Sequence, residues 1–322
     1  MRVADLLSET VTAHTSPLPT PEDESPLNAQ LFAARPVHGH ESVSAHDAQA
    51  VLRYAREMTS ASPVTVSADD NAALLSLAIR LAAEAADIIN AIRERGFRTD
   101  IKSDASPVTE ADHASEHHIL TGLRAACPAI PAIGEEEASV GIRINGGDAY
   151  WLVDPLDGTR GFASGGRDFT VNIGLVRHDR PVLGVVALPG YGLIYSGGQG
   201  LGAHRSDGPH TTRISTATPP PEGLRVLASS HHGDPELLDR WLAGRKVASI
   251  DRLSSSVKFM RVAEGEADFY PRFGPTMEWD TAAPQAILEA AGGAILDENG
   301  KPLRYGKPGR LNGSFYCTGG AS

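Results

Sequence analysis

Cysteine and aromatic residues are scarce: of 322 residues two are cysteine and three are tryptophan, and 6% are aromatic. Cys127 and Cys317 are too few and too far apart for a disulfide framework or a zinc motif. They read as lone thiols of a reducing compartment. The expected location is the cytoplasm, with a peripheral place at the inner membrane left open. No run of 18 apolar residues occurs, so no membrane span is expected. The N-terminal stretch from Met1 lacks the apolar centre of a signal peptide. Positive charge is short as well: 29 Lys and Arg stand against 40 Asp and Glu, a net charge of −11. A non-specific nucleic-acid binder needs a basic stripe, so no nucleic-acid partner is expected. The oligomeric state is not legible. An acidic chain that handles an anionic substrate needs metal ions or a few placed cations as local compensation.

Residues 1–68 are rich in proline, serine, threonine and acid and read as a flexible extension, with one helix conceivable over 45–58. Regular signals begin after it. Leu74, Leu77, Ala78, Leu81, Ala85, Ile88, Ile89 and Ile92 follow helical spacing, and Gly96 is a credible stop. A second helix is predicted from Glu110 to Ala126, ending before Pro128. Strands are predicted at 150–153, 169–176 and 181–188, the last two forming a hairpin, followed by a meander over 193–204. Helices and strands alternate after Pro219-Pro-Pro221. These patterns divide the chain into an extension (1–68), an α+β domain (69–218) and a C-terminal α/β domain (219–322). The chain is long enough to bury a sizeable core.

The most informative segment is Trp151-Leu-Val-Asp154-Pro155-Leu156-Asp157-Gly158-Thr159. An apolar strand is expected to stop at Asp154, because Pro155 removes a backbone donor and Gly158 permits close backbone approach. Asp154, the Leu156 carbonyl and Asp157 could then converge on one hard cation, and oxygen-only ligands of this kind suit Mg²⁺. Thr159 could open a short helix whose free amides face an anion. A polar turn after a strand explains Asp-Pro-Leu-Asp equally well.

Three further elements carry acids. Gly134-Glu135-Glu136-Glu137 follows a short strand-like run, though adjacent acids usually form a solvated patch. Glu278-Trp279-Asp280 precedes a helix that ends at Gly292-Gly293. Asp280 is placed there as N-cap, Pro284 is tolerable near the first turn, and Trp279 reads as a packing residue. In Lys102-Ser-Asp104-Ala-Ser-Pro107-Val-Thr109-Glu-Ala-Asp112, a capping box accounts for Thr109 and Asp112, leaving Asp104 without a bland role. Four carboxylates drawn together would repel strongly without cations. The glycine-rich stretch 197–202 falls between strands and reads as a hairpin, not a dinucleotide fingerprint.

In this order the four elements resemble the lithium-sensitive, magnesium-dependent phosphatase superfamily that includes the inositol monophosphatases. The resemblance spans about 71–315. Within it, Phe169-Thr-Val-Asn-Ile173, Ser255-Ser-Val-Lys258-Phe259 and Tyr270-Pro-Arg272-Phe-Gly-Pro-Thr-Met-Glu-Trp-Asp280 resemble the bacterial 3′(2′),5′-bisphosphate nucleotidases. The resemblance implies an α/β (α+β) fold, a layered αβαβα sandwich. It implies a Mg²⁺-dependent phosphomonoesterase that hydrolyses the 3′-phosphate of adenosine 3′,5′-bisphosphate. Glu135, Asp154, the Leu156 carbonyl, Asp157 and Asp280 would be metal ligands, with Glu135 and Asp280 also bordering the reacting water and the substrate. Asp104 and Thr159 would orient and deprotonate that water, and Asp112 would support a metal-bound water. Gly158 and Thr159 amides would hold the scissile phosphate. Ser255, Lys258 and Arg272 would face the non-reacting 5′-phosphate, and His232 would touch the nucleotide. Two departures stand out: Arg160-Gly161-Phe162 follows Asp-Gly-Thr where the family has Lys/Arg-Glu-Phe, and Ser229-Ser230-His231-His232 lacks a family arginine. An inositol or sugar phosphatase of the same superfamily and a non-catalytic binding protein of the same fold are the alternative readings.

Overall fold

The computed structural model describes residues 65–102, 106–145, 147–230 and 234–320. The expected extension lies outside them except for its end, where Val66 N–H donates to the Ala126 carbonyl at 2.8 Å and Val66 and Ala68 pack on the core. Residues 62–322 form one compact unit.

The elements run in the order α1 (Asn71–Arg95), β1 (Thr99–Ile101), β2 (Pro107–Thr109), α2 (Glu110–Ala126), β3 (Ala132–Gly134), α3 (Glu135–Ser139), β4 (Ala149–Asp157) and α4 (Thr159–Ala163). The meander β5 (Thr170–Arg177), β6 (Arg180–Leu188), β7 (Leu193–Gly198), β8 (Gly202–Asp207) and β9 (His210–Arg213) follows. Then come β10 (Leu224–Ser229), α5 (Pro235–Leu242), β11 (Val247–Leu253), α6 (Val257–Ala263), β12 (Phe269–Arg272) and β13 (Thr276–Met277). The chain closes with α7 (Glu278–Ala290), β14 (Ala294–Asp297), β15 (Leu311–Asn312) and β16 (Phe315–Thr318).

Strands β3 to β9 form one seven-stranded sheet in sequence order, antiparallel apart from the parallel pair β3–β4. A five-stranded sheet has the order β11-β10-β12-β16-β14. Alternation along the central strands assigns each sheet face. Trp151, Val153, Val171, Ile173, Leu183 and Val185 meet the apolar sides of α1 and α2. Tyr150, Leu152, Val176 and Val186 meet α7, whose other side joins α6 and the small sheet in the same core. Leu238 and Leu242 of α5 cover the far side of the small sheet. The layers are therefore α, β, α, β, α, the expected sandwich. The change from meander to α/β alternation falls at the triple proline, and the middle core draws residues from both sides of it.

Helix α7 sits very close to the large sheet. Gly174 and Gly184 are paired across β5 and β6, and a Cβ added to them would lie 2.7 Å from Ala283 N and 2.4 Å from Ala283 O. Hydrogen in place of a side chain at both positions makes the seat for this helix.

Several local expectations change. The β4 strand does not stop at Asp154 but continues to Asp157, with its register broken between those residues. Helix α7 begins two residues before Asp280, which is therefore its third residue and not its N-cap. Pro284 consequently lies inside the helix. The amide it lacks would have met the Asp280 carbonyl, and Ser256 Oγ stands 3.4 Å from that oxygen instead. The capping box at Thr109 and Asp112 is present, Gly96 ends α1, and 197–202 forms the β7–β8 hairpin.

Candidate active site

The end of β4 builds the centre of the site. Trp151, Leu152 and Val153 are fully buried and pin the strand, so Asp154, 1% exposed, is carried into the interior. Its Oδ1 accepts the Leu156 amide at 3.1 Å. Gly158 then takes a left-handed turn with φ 93°. A Cβ there would meet the Asp168 carbonyl at 2.8 Å and Ser255 Cβ at 3.1 Å, so both conformation and space demand glycine. Thr159 begins α4, with Oγ1 at 2.9 Å from Asp112 Oδ1 and 3.0 Å from the Leu156 carbonyl oxygen. Asp112 Oδ2 accepts the Thr109 amide and hydroxyl at 2.7 and 2.6 Å.

Glu135, Asp154, the Leu156 segment, Asp157 and Asp280 all border one cavity of about 340 Å³. They arrive from α3, β4 and α7, far apart in sequence. Asp157 Oδ2 accepts Ser256 Oγ at 3.2 Å, and Asp280 Oδ2 accepts the Met277 amide at 2.8 Å. Lys102 reaches in from the loop before β2, with Nζ 2.9 Å from Glu135 Oε1 and 2.7 Å from Glu136 Oε1. Burial pushes the Asp154 carboxyl well above its usual range, and the neighbouring Glu135, Asp157 and Asp280 push it further. Asp280 is raised by burial and by Asp157 and Glu135. Glu135 is raised by burial despite Lys102. Burial opposes the charge of Lys102, but Glu135 and Glu136 hold its ammonium above the ordinary value.

As they stand, no three His, Cys, Asp or Glu side chains among the described residues are gathered closely enough to hold an ion. Glu135 is turned to Lys102 and Asp280 to its own helix start. The chemistry of the cavity nevertheless fits a hard divalent cation: its donors are carboxylates and a carbonyl, and burial together with neighbouring acids raises the proton affinities of Glu135, Asp154 and Asp280. Asn172, paired across the sheet with Asp154, has a fully buried amide, and neither of its polar atoms is partnered among the described residues.

Cations line the cavity as well. Lys258 and Arg272 border the same cavity. Lys258 is 2% exposed, donates to the Ser255 carbonyl at 2.7 Å and lies 5.1 Å from the Tyr270 ring centroid. Burial lowers its pKa to about 8. Ser255 holds a left-handed φ of 54°, with its hydroxyl 2.9 Å from Thr170 Oγ1. Its neighbour Ser254 donates its amide to Asp168 Oδ2 at 3.2 Å. Arg272 donates to the Pro275 carbonyl at 3.3 Å, and its buried Nε has no partner among the described residues.

Glu135, Asp154, Leu156, Asp157, Gly158, Thr159, Ser255, Lys258, Arg272 and Asp280 are thus brought together. Asp104 and His232 lie outside the described residues. The acid that meets the Thr159 hydroxyl is Asp112, which sequence reasoning had absorbed into a helix cap and a supporting role. Lys102, Glu116, Asp168 and Asn172 were overlooked. A signal existed for two of the acids. Asp112 and Glu116 are one turn apart and fall among Ala111, Ile119, Leu120 and Leu123 on the buried side of α2, where an acid needs a reason.

A family model described as inositol monophosphatase family matches residues 70–318. The chain is 40% identical over 237 residues to the 3′(2′),5′-bisphosphate nucleotidase CysQ of Escherichia coli strain K12, covering 72% of this chain and 94% of that protein. It is 34% identical over 238 residues to the nucleotidase CysQ of Aggregatibacter actinomycetemcomitans, covering 73% and 88%. Among solved structures it resembles CysQ from Bacteroides thetaiotaomicron, with TM-score 0.67, 32% identity and coverage of 78% and 98%. It also resembles an inositol monophosphatase from Anabaena sp. PCC 7120, with TM-score 0.61, 25% identity and coverage of 77% and 91%.

Proposed function

The chain belongs to the inositol monophosphatase family, and within it we propose a Mg²⁺-dependent 3′(2′),5′-bisphosphate nucleotidase that converts adenosine 3′,5′-bisphosphate to AMP and phosphate. One observation carries the substrate reading: carboxylates and the cations Lys258, which is buried, and Arg272, which is half-buried, border the same cavity. A ligand with two phosphates satisfies both sets of groups at once. The relatives named as nucleotidases support the same choice.

Glu135, Asp154, the Leu156 carbonyl, Asp157 and Asp280 would hold Mg²⁺, which supplies charge neutralisation and acidifies water when bound. The chain's own groups do the rest. The Gly158 and Thr159 amides receive the scissile phosphate. Thr159 Oγ1 accepts a hydrogen bond from the attacking water and passes its own proton toward Asp112 Oδ1, 2.9 Å away. Burial raises the Asp112 carboxyl against its bonds from Thr109 and Thr159, which makes it a better proton acceptor. The water oxygen bonds to phosphorus as the bond to the 3′-oxygen breaks, the 3′-oxygen takes a proton from solvent, and Asp112 returns its proton to solvent as phosphate leaves. Uncatalysed phosphate monoester hydrolysis is among the slowest of reactions. A general base contributes only about 10²–10⁴-fold, so charge neutralisation and positioning carry most of the acceleration. Lys258 and Arg272, with Ser255, take the 5′-phosphate. We infer a cytoplasmic reaction, as expected for lone thiols such as Cys127 and Cys317, both buried and free. Among the described residues no helix is long and apolar enough to cross a membrane.

Initial rates on adenosine 3′,5′-bisphosphate and on inositol 1-phosphate, each with Mg²⁺ and with a chelator, test the reading. The expected result is Mg²⁺-dependent phosphate release that favours the nucleotide. Preference for the inositol phosphate would replace the substrate, and release unaffected by the chelator would remove the metal.

A further inference from the structure

Helix α2 touches three separate pieces of the site with one stretch of its surface. Asp112 accepts the Thr159 hydroxyl at 2.9 Å. Ser115 Oγ donates to the Pro155 carbonyl at 3.0 Å, inside the metal loop. Glu116 Oε2 and Oε1 accept the backbone amides of Glu136 and Glu137, each at 2.8 Å. Those amides open α3, whose first residue is Glu135. The N-cap of α3 is Gly134, which makes no side-chain cap hydrogen bond, so the helix is capped in trans by an acid from another element.

Charge argues that this contact serves position. Glu135, Glu136 and Glu137 already put three carboxylates in the first turn of α3. Glu116, 4% exposed, adds a fourth beside them, against which Glu135 and Glu137 act unfavourably. A hydroxyl or amide side chain at residue 134 would cap the helix without that repulsion. A side chain at residue 134 and the Glu116 carboxylate exclude one another where they stand, because a Cβ there would lie 2.3 Å from Glu116 Oε2 and 2.5 Å from its carboxyl carbon. The φ of Gly134 is −102°, open to any residue. Its glycine is needed for the Glu116 carboxylate and not for the backbone.

We propose that Glu116 is a positioning residue for the metal ligand Glu135: its carboxylate, admitted by Gly134, clamps the first amides of α3 and fixes where the Glu135 side chain enters the cavity. The inference rests on the reading of Glu135 as a Mg²⁺ ligand. Groups that orient a ligand from behind typically change metal affinity or activity by about 10–100-fold when removed.

The test is a Mg²⁺ titration of the full chain, read by thermal stabilisation and in parallel by turnover, for wild type, Glu116→Gln, Glu116→Ala, Gly134→Ala and the Gly134→Ala/Glu116→Ala double variant. Glutamine keeps one acceptor and turns an amide group toward the other N–H, so it retains the shape and loses half the clamp. Both Glu116 variants are expected to shift the Mg²⁺ midpoint upward by about tenfold or more, with a smaller change in kcat at saturating Mg²⁺. Gly134→Ala displaces the same carboxylate and should match Glu116→Ala, and the double variant should be no worse than either single. A wild-type midpoint in folded Glu116→Gln, or single-variant shifts that multiply in the double, would overturn the assignment. Absence of any Mg²⁺ stabilisation in wild type would instead remove the metal reading, and the positioning role with it.

Discussion

Gly184→Ala probes the seat of α7 without touching any group in the cavity. The new methyl would lie 2.4 Å from the Ala283 carbonyl oxygen and 2.6 Å from Ala283 Cα, where ordinary contact begins near 3.4 Å. Both obstacles are backbone, so no rotamer change relieves them, and the helix must retreat by about 1 Å, the difference between those distances. Asp280 lies one turn earlier on the same helix and moves with it. Overpacking of this size costs about 1–3 kcal/mol, which lowers Tm by roughly 2–4 °C per kcal/mol in a chain of this class. A misplacement of about 1 Å at a reacting centre costs on the order of 10²-fold in rate. The assay is kcat on adenosine 3′,5′-bisphosphate at saturating Mg²⁺, beside a thermal melt. Gly313→Ala is the control, since a Cβ there meets nothing within 4 Å, and both readouts should stay near wild type. Wild-type kcat and Tm in Gly184→Ala would refute the claim that sheet glycines set the position of Asp280.

Other outcomes follow from the same geometry. Asp112→Asn should lower kcat by about 10²–10⁴-fold with little change in KM, and an unaltered kcat would exclude the Thr159–Asp112 pair from proton transfer. Lys258→Ala should raise KM for the bisphosphate more than for a simple monoester; equal losses would separate Lys258 from the second phosphate. Because burial lowers the Lys258 pKa to about 8, its charge is present below that pH and lost above it. The wild-type KM for the bisphosphate should therefore rise above pH about 8 while that for a monoester does not. Metal-free protein should be more stable in mild acid. Burial raises Glu116 and Glu136 from 4.5 to about 7, so the folded chain keeps protons that the unfolded chain has lost between those values. Stability then falls as pH rises through that window. A chelator-treated melt with the opposite slope between pH 4.5 and about 7 would contradict the burial of Glu116 and Glu136 as proton-binding groups.

Much of this architecture was legible where one local signal dominated. Thr109 with Asp112 placed the start of α2, Gly96 the end of α1, and the short polar 177–180 stretch the β5–β6 hairpin. That these acids meet in one cavity was legible because Asp154 and Asp157 stand in one recognisable stretch. Errors arose where two physical causes competed for one residue. Asp112 satisfied a helix cap completely, which hid its second oxygen and the Thr159 hydroxyl bonded to it. Asp280 beside Thr281 had the chemistry of an N-cap, yet α7 starts earlier and Asp280 reaches back to the Met277 amide from its third position. Pro155 suggested a strand end, but β4 absorbs it at a register break. Glu116 and Asp168 act on backbone amides distant in sequence, and no local pattern records which amide a side chain will meet.

Anomalous diffraction from crystals of the chain grown with Mn²⁺ in place of Mg²⁺ would locate the ions directly, since Mn²⁺ accepts the same oxygen ligands. Peaks within coordination distance of Asp154, Asp157 and Asp280, with Glu135 turned from Lys102 toward them, are the expected result. A cavity without anomalous density, or Mn²⁺ bound only elsewhere, would contradict it.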